Sequence, residues 1–243
     1  MVVGQIDGHV GGLVLGLGVV ALVALAGAFV ARMRQWRFPY PVSFWYTVNW
    51  LYCRLFFRLQ RVGPCTVPAE GPVIVVANHT CGIDPLLLVA SIPHRVPAFM
   101  VAAEFSNPPI GGRVMRAIEC IPVRRDGQDT IATRAALRHL KAGKALGIFI
   151  EGRIPRPGEV AEAKDGATVL ALHSGARVVP AHISGTLWDA SLLRSFFRPH
   201  KARVRFGTPI DLRAYAGRHA DKETVGKLST MLLQTIRELG ARS

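Results

Sequence analysis

Val73-Ile74-Val75-Val76-Ala77-Asn78-His79-Thr80-Cys81-Gly82-Ile83-Asp84-Pro85 is the stretch that decides the fold. Val73 to Ala77 reads as a strand buried on both faces. Asp84-Pro85 opens a helix, aspartate suiting the cap and proline the first helical position. Strand, short turn and helix form the repeating unit of an α/β domain. The turn sets an imidazole and a carboxylate five residues apart at the carboxyl end of the strand, where open α/β sheets bind ligands. Neutral histidine accepts a proton near pH 7, and a carboxylate on its other nitrogen fixes the tautomer and favours the imidazolium. Taken singly, Asp84 reads as a helix cap and His79 as an ordinary strand-end histidine; together they form a base and its orienter. No G-x-S-x-G elbow, P-loop or dinucleotide fingerprint accompanies them, and His182-Ile183-Ser184-Gly185-Thr186 lacks the first glycine of an elbow. The nucleophile is then expected to belong to the substrate.

Outward from this stretch, short apolar runs alternate with helical periodicity, which predicts a mostly parallel central sheet flanked by helices. Strands are expected over Cys120–Val123, Ala145–Ile150, Val178–Ile183 and Val204–Phe206. Thr133, Ala136, Leu137 and Leu140 fall at helical spacing with Gly143 as the stop. Ala167–Ser174 is a second helix ending at Gly175, and Val225, Leu228, Leu232, Ile236 and Leu239 mark a final amphipathic one.

Two further loops follow expected strands. Arg124-Arg125-Asp126-Gly127 is an ordinary charged turn, or a set of guanidinium forks suited to phosphate. Glu151-Gly152-Arg153-Ile154-Pro155-Arg156-Pro157-Gly158 has too much glycine and proline for regular structure. It reads as a solvated loop or as an anion-binding one. Convergence of three such loops on one rim of the sheet favours a site.

The N-terminal part has another character. Val10 to Val30 carries no charge over 21 residues, about the length that crosses a bilayer core. No basic segment precedes it, as a cleaved signal would require, and Arg32, Arg34 and Arg37 follow it, placing the next domain on the cytoplasmic side. Between Trp36 and Arg61, aromatic residues interleave with Arg54, Arg58 and Arg61, the composition of a helix in the headgroup interface or of one packed on the domain. The expected division is therefore a membrane anchor at 1–62, with a hydrophobic helix over 10–30 and an interfacial helix at about 40–60, and a catalytic domain at 63–243. The net charge of +14 calls for an acidic partner. The mean hydropathy of +0.27 favours anionic phospholipid over nucleic acid. Cys53, Cys65, Cys81 and Cys120 show neither disulfide nor metal spacing.

These residues resemble the glycerolipid acyltransferases typified by 1-acyl-glycerol-3-phosphate acyltransferase. The family's first motif, Asn-His, four variable residues and Asp, matches Asn78, His79 and Asp84. Its second resembles Val123-Arg124-Arg125-Asp126-Gly127. The third, Phe-Pro-Glu-Gly-Thr-Arg-Ser, is similar to Phe149-Ile150-Glu151-Gly152-Arg153-Ile154-Pro155, and the fourth, Val-Pro-x-x-Ile-x-Gly, to Val179 through Gly185. In the third block Ile150 replaces proline, Arg153 replaces threonine, and Ile154 takes the usual arginine position. The resemblance covers about Val67 to the C-terminal helix. It implies acyl transfer from acyl-CoA or acyl carrier protein to the free hydroxyl of a lysophospholipid at a membrane, with no metal or redox cofactor and no nucleic acid. His79 and Asp84 are then catalytic, and Asn78, Arg125, Glu151, Gly152 and Arg153 bind substrate. Backbone N–H groups of the strand-to-helix turn are expected as oxyanion donors. Another lysolipid, glycerol-3-phosphate or an amino-acid lipid is an alternative acceptor, and a non-catalytic anionic-lipid-binding protein is the alternative class.

Overall fold

The computed structural model describes residues 3–36, 38–103, 109–124, 129–189, 191–218 and 221–241; the side chains of 3–17, 19, 109–111, 192 and 193 lie outside the description. The chain divides into two compact units, Met1–Thr47 and Val48–Ser243.

In the first unit, helix α1 runs Val3–Arg34 and α2, Tyr40–Leu55, begins. The described side chains from Val20 to Ala28 are exposed, with Val20, Leu22, Val23 and Leu25 each 67% accessible. Of the expected membrane-crossing segment 10–30, the side chains of residues 10–17 and 19 lie outside the description. Among the described residues no helix is long and apolar enough to cross a membrane. Met33 and Tyr46 are buried. The Tyr46 ring packs against Trp36 and Phe38, and the Trp36 indole donates to Thr47 Oγ1 at 3.0 Å.

The second unit holds one seven-stranded sheet in the order β1-β7-β6-β2-β5-β3-β4. Its strands are β1 Gln60–Val62, β2 Val73–Ala77, β3 Ala98–Ala102, β4 Ile121–Val123, β5 Ala145–Phe149, β6 Arg177–Ser184 and β7 Arg203–Phe206. β2 is the middle strand, parallel to β5 on one side and β6 on the other. All five of its residues are buried, as a parallel strand covered by helices on both faces requires. Among the described strands β7 alone pairs antiparallel, on β6, and β1 follows it in parallel, so two strands oppose the other five. The expected mostly parallel α/β sheet is therefore observed.

On one face α5 (Thr130–Lys141), α6 (Gly166–Ser174) and α8 (Lys222–Ala241) bury Leu140, Leu170, Leu232 and Ile236 against Ile74, Val76 and Leu146. α3 (Asp84–Ser91) contributes the buried Leu87 and Leu88, and α4 (Pro109–Ala117) and α7 (Leu192–Phe197) complete the helices. The second half of α2 is packed within the second unit through Cys53, which is fully buried, and through Asn49, which donates to Leu86 O at 3.0 Å; just after the helix Phe57 is also fully buried. One turn requires glycine. Gly185, just after β6, has φ +75°, and a Cβ there would lie 2.1 Å from the Lys201 carbonyl oxygen.

Candidate active site

The carboxyl ends of β2, β5 and β6 lie side by side, so the loops carrying the first, third and fourth blocks meet at the middle of the sheet. β4, which leads to the second block, is three strand spacings from β2, roughly 14 Å at about 4.8 Å each. Arg125 itself lies outside the described residues.

Asn78 ends β2. Its amide Nδ2 donates to Ile183 O at 2.9 Å and its Oδ1 accepts from Ile183 N–H at 2.8 Å. Both ends of the amide are thus bonded to β6, so Asn78 staples two strand ends together. Immediately after it, His79 Nδ1 lies 2.9 Å from Asp84 Oδ2. Asp84 is fully buried, and the same Oδ2 accepts the N–H groups of Thr80 at 2.7 Å and Cys81 at 2.8 Å. Asp84 is not a cap: it is the first residue of α3, the cap position is Ile83, and the carboxylate turns back into the preceding loop. Because a carboxylate only accepts, Nδ1 carries the proton and Nε2 is left with its lone pair.

The imidazole stacks on Phe149, the last residue of β5, with centroids 3.9 Å apart and planes 13° from parallel. Phe149 pairs in register with Ala77, so the ring next to the base comes from the neighbouring strand. Glu151, two residues further, is 7% exposed. Its carboxyl faces the backbone N–H of His79 and its own N–H, while Oε2 is buried without a partner. Burial pushes it up to about 7, Asp84 adding in the same direction. Gly152 turns the loop at φ +70°. Arg153 points to solvent and is held by Glu159 through two contacts, one of 2.9 Å, so the guanidinium expected to bind substrate is engaged within its own loop.

The turn is also braced from the fourth block. Thr80 and Thr186 hydroxyls are 2.7 Å apart, Asp189 N–H donates to Thr80 O at 3.2 Å, and Gly82 N–H donates to Asp189 O at 3.1 Å. Asp84 N–H donates to Cys81 O at 3.1 Å. The N–H groups of Thr80, Cys81, Gly82 and Asp84 are therefore engaged within the turn and its neighbours. Phe149, Thr186 and Asp189 were not legible as site residues. The strand pairing that would have flagged Phe149 is long-range.

The arrangement can take a proton at His79 Nε2 and hold the resulting charge against Asp84. Among the described residues no hydroxyl or thiol is bonded to Nε2, and no group of metal-binding side chains occurs. Cys81 is no substitute nucleophile, since it is fully buried and burial pushes its thiol up.

Residues 58–184 match a family model described as Acyltransferase. A 1-acyl-sn-glycerol-3-phosphate acyltransferase of Bacillus subtilis is 26% identical over 174 residues, covering 71% of this chain and 83% of that protein. A Mycoplasma genitalium protein named probable 1-acyl-sn-glycerol-3-phosphate acyltransferase is 27% identical over 143 residues, covering 57% of this chain; the matched part spans about half, 53%, of that relative's length. The crystal structure of the 1-acyl-sn-glycerophosphate (LPA) acyltransferase of Thermotoga maritima superposes with a TM-score of 0.65 at 21% identity, covering 94% of each chain, and shares the fold.

Proposed function

This chain belongs to the acyltransferase family, and from that premise we propose that it transfers an acyl group from acyl-CoA or acyl carrier protein to the free hydroxyl of 1-acyl-glycerol-3-phosphate, yielding phosphatidic acid. The observation that carries the reading is the 2.9 Å His79–Asp84 pair at the end of the middle strand, a base with no protein nucleophile bonded to it. His79 Nε2 takes the proton of the acceptor hydroxyl as its oxygen attacks the thioester carbonyl. Asp84 stabilises the imidazolium through Nδ1–H. Collapse of the tetrahedral intermediate breaks the carbon–sulfur bond, and the imidazolium returns the proton to the departing thiolate. Arg125 and Arg153 are the guanidiniums we assign to the acceptor's phosphate, with Glu151 and Gly152 shaping the loop. Asn78 acts through the strand ends it joins. No cofactor is needed for these steps beyond the thioester co-substrate.

Reaction at a membrane surface, with the catalytic unit on the cytoplasmic side, is part of the proposal. It is supported by the exposed apolar side chains of α1 and by the basic Arg32 and Arg34 that end it. The Arg153–Glu159 pair favours, as a second reading, an acceptor other than 1-acyl-glycerol-3-phosphate.

The test is purified protein with labelled acyl-CoA or acyl carrier protein and a panel of acceptors comprising 1-acyl-glycerol-3-phosphate, other lysophospholipids, glycerol-3-phosphate and an amino-acid lipid. We expect fastest transfer to 1-acyl-glycerol-3-phosphate and a loss of about 10² to 10⁴ in rate for His79→Ala. Wild-type rates in that variant would end the assignment. Binding to anionic vesicles with no transfer to any acceptor would favour the non-catalytic alternative.

A further inference from the structure

A cleft of about 680 Å³ opens beside the His79 loop, lined by Trp188, Asp189, Arg194, Phe197, Arg198 and Pro199. The acyl-transfer chemistry uses none of these side chains. The cleft is nonetheless joined to the site on two sides. Asp189 forms a β-bridge with Cys81 inside the first motif, and the Trp188 indole donates to Pro155 O, in the third loop, at 2.6 Å. Its position is therefore fixed by the two loops that flank the base.

Its chemistry is unusual for surface exposed to water. Phe197 is 80% and Trp188 43% exposed, two large rings that water alone does not favour leaving open. Arg194 lies 3.3 Å from Asp189 Oδ1, so much of its charge is answered locally. Arg198 is exposed and makes no ion pair among the described residues; burial first, and the Arg198 charge second, disfavour protonation of the nearby His200. Aromatic faces beside guanidinium forks suit a ligand with a flat ring and phosphate groups. The volume lies within the roughly 300 to 1,000 Å³ of small-molecule sites.

We propose that this cleft holds the phosphate-bearing, aromatic end of the donor's nucleotide carrier. Trp188 and Phe197 stack on the base, Arg198 assisted by Arg194 holds phosphate, and the thioester arm extends past residues 80–82 to His79. A lysolipid phosphate offers the same anion without a ring to occupy the aromatic faces. The inference rests on the acyl-transfer reading, within which it assigns the donor subsite.

The experiment is isothermal titration of free coenzyme A into the full chain and into Phe197→Ala and Arg198→Ala. Steady-state KM values are measured separately for acyl-CoA and for the acceptor. Both side chains are solvent-exposed, and thermal melts check that the variants fold. Arg198→Lys keeps the charge without the fork and serves if Arg198→Ala does not fold. We expect Kd for coenzyme A and KM for acyl-CoA to rise about tenfold in each alanine variant, with acceptor KM and saturated kcat within twofold. A rise in acceptor KM in place of donor KM would reassign the cleft to the lipid and overturn the proposal. Unchanged values, or no coenzyme A binding by the wild-type chain, would also overturn it. Failure of the parent reading looks different, because there the wild-type chain transfers acyl groups to no acceptor at all.

Discussion

Replacing Asp84 with asparagine asks what the buried carboxylate contributes. One oxygen, Oδ2, receives all three donors, His79 Nδ1–H and the N–H groups of Thr80 and Cys81, while Oδ1 is buried with no partner. An asparagine side chain therefore satisfies the loop by placing its oxygen at the Oδ2 position and its NH₂ at the Oδ1 position. The opposite orientation sets NH₂ against two backbone donors and is disfavoured by about 1 to 3 kcal/mol for each group left unsatisfied. The preferred orientation keeps the His79 tautomer and removes only the negative charge. Exchanging a charged for a neutral hydrogen bond costs the imidazolium about 1 kcal/mol. A full unit charge at about 4 Å and an effective dielectric near 20 is worth about 4 kcal/mol. At about 1.4 kcal/mol per factor of ten, kcat should fall between about 5-fold and 10³-fold. That is less than the loss of about 10⁴ that accompanies a wrong tautomer in a serine-protease triad. The assay is thiol release from acyl-CoA with saturating acceptor, paired with ¹⁵N NMR of the imidazole. A drop of 10⁴ or more, or a spectrum with Nδ1 unprotonated, would refute the orientation argument; undiminished kcat would refute any role for the charge.

Three other outcomes follow from the same geometry. Asn78→Ala removes both bonds to Ile183 and strands that residue's buried main chain, so it should cost about 2 to 4 kcal/mol of stability and lower kcat; an unchanged melting temperature contradicts the staple. Glu151 holds its proton up to about 7 when folded but releases it near its ordinary 4.5 when unfolded, so the stability it contributes is complete below about 4.5 and is lost as pH rises through 7. Relative to Glu151→Gln, the wild type should lose up to about 3 kcal/mol between pH 4 and 8 in urea unfolding, and parallel pH profiles would count against a buried, protonated carboxyl. Gly185→Ala combines a left-handed backbone with a Cβ pressed on the Lys201 carbonyl, and should destabilise by about 2 to 4 kcal/mol. Gly63→Ala, at φ +82° but with nothing within 4 Å, should lose only about 1 kcal/mol, and equal losses would show that crowding at 185 is irrelevant.

The central strands were legible because burial on both faces writes a continuous apolar run. β2, β5 and β6 appear within a residue of where Val73–Ala77, Ala145–Ile150 and Val178–Ile183 were expected. The helix terminators Gly143 and Gly175 both adopt positive φ. β1 was invisible because Gln60-Arg61-Val62 is a short, mostly exposed edge strand with no apolar pattern. β3, Ala98–Ala102, lies outside the expected strands although its run is apolar. Within the site, the His79–Asp84 pair could be read because the two residues are close in sequence. The Asn78 amide could not, since its partner is 105 residues away. Nor does a sequence reveal that Arg153 will choose Glu159, a local pairing decided by the fold of one loop.

The bracing of residues 79–84 has a consequence for timing. A segment in which four main-chain N–H groups, two threonine hydroxyls and an asparagine staple are already committed has little freedom left to surrender when substrates arrive. The base is assembled before the encounter, so turnover does not wait for this loop to organise. Its amides should exchange with deuterium as slowly as those of the middle strand. On the proposed reading, the pace is then set by the supply of the two substrates to a centre that stands ready.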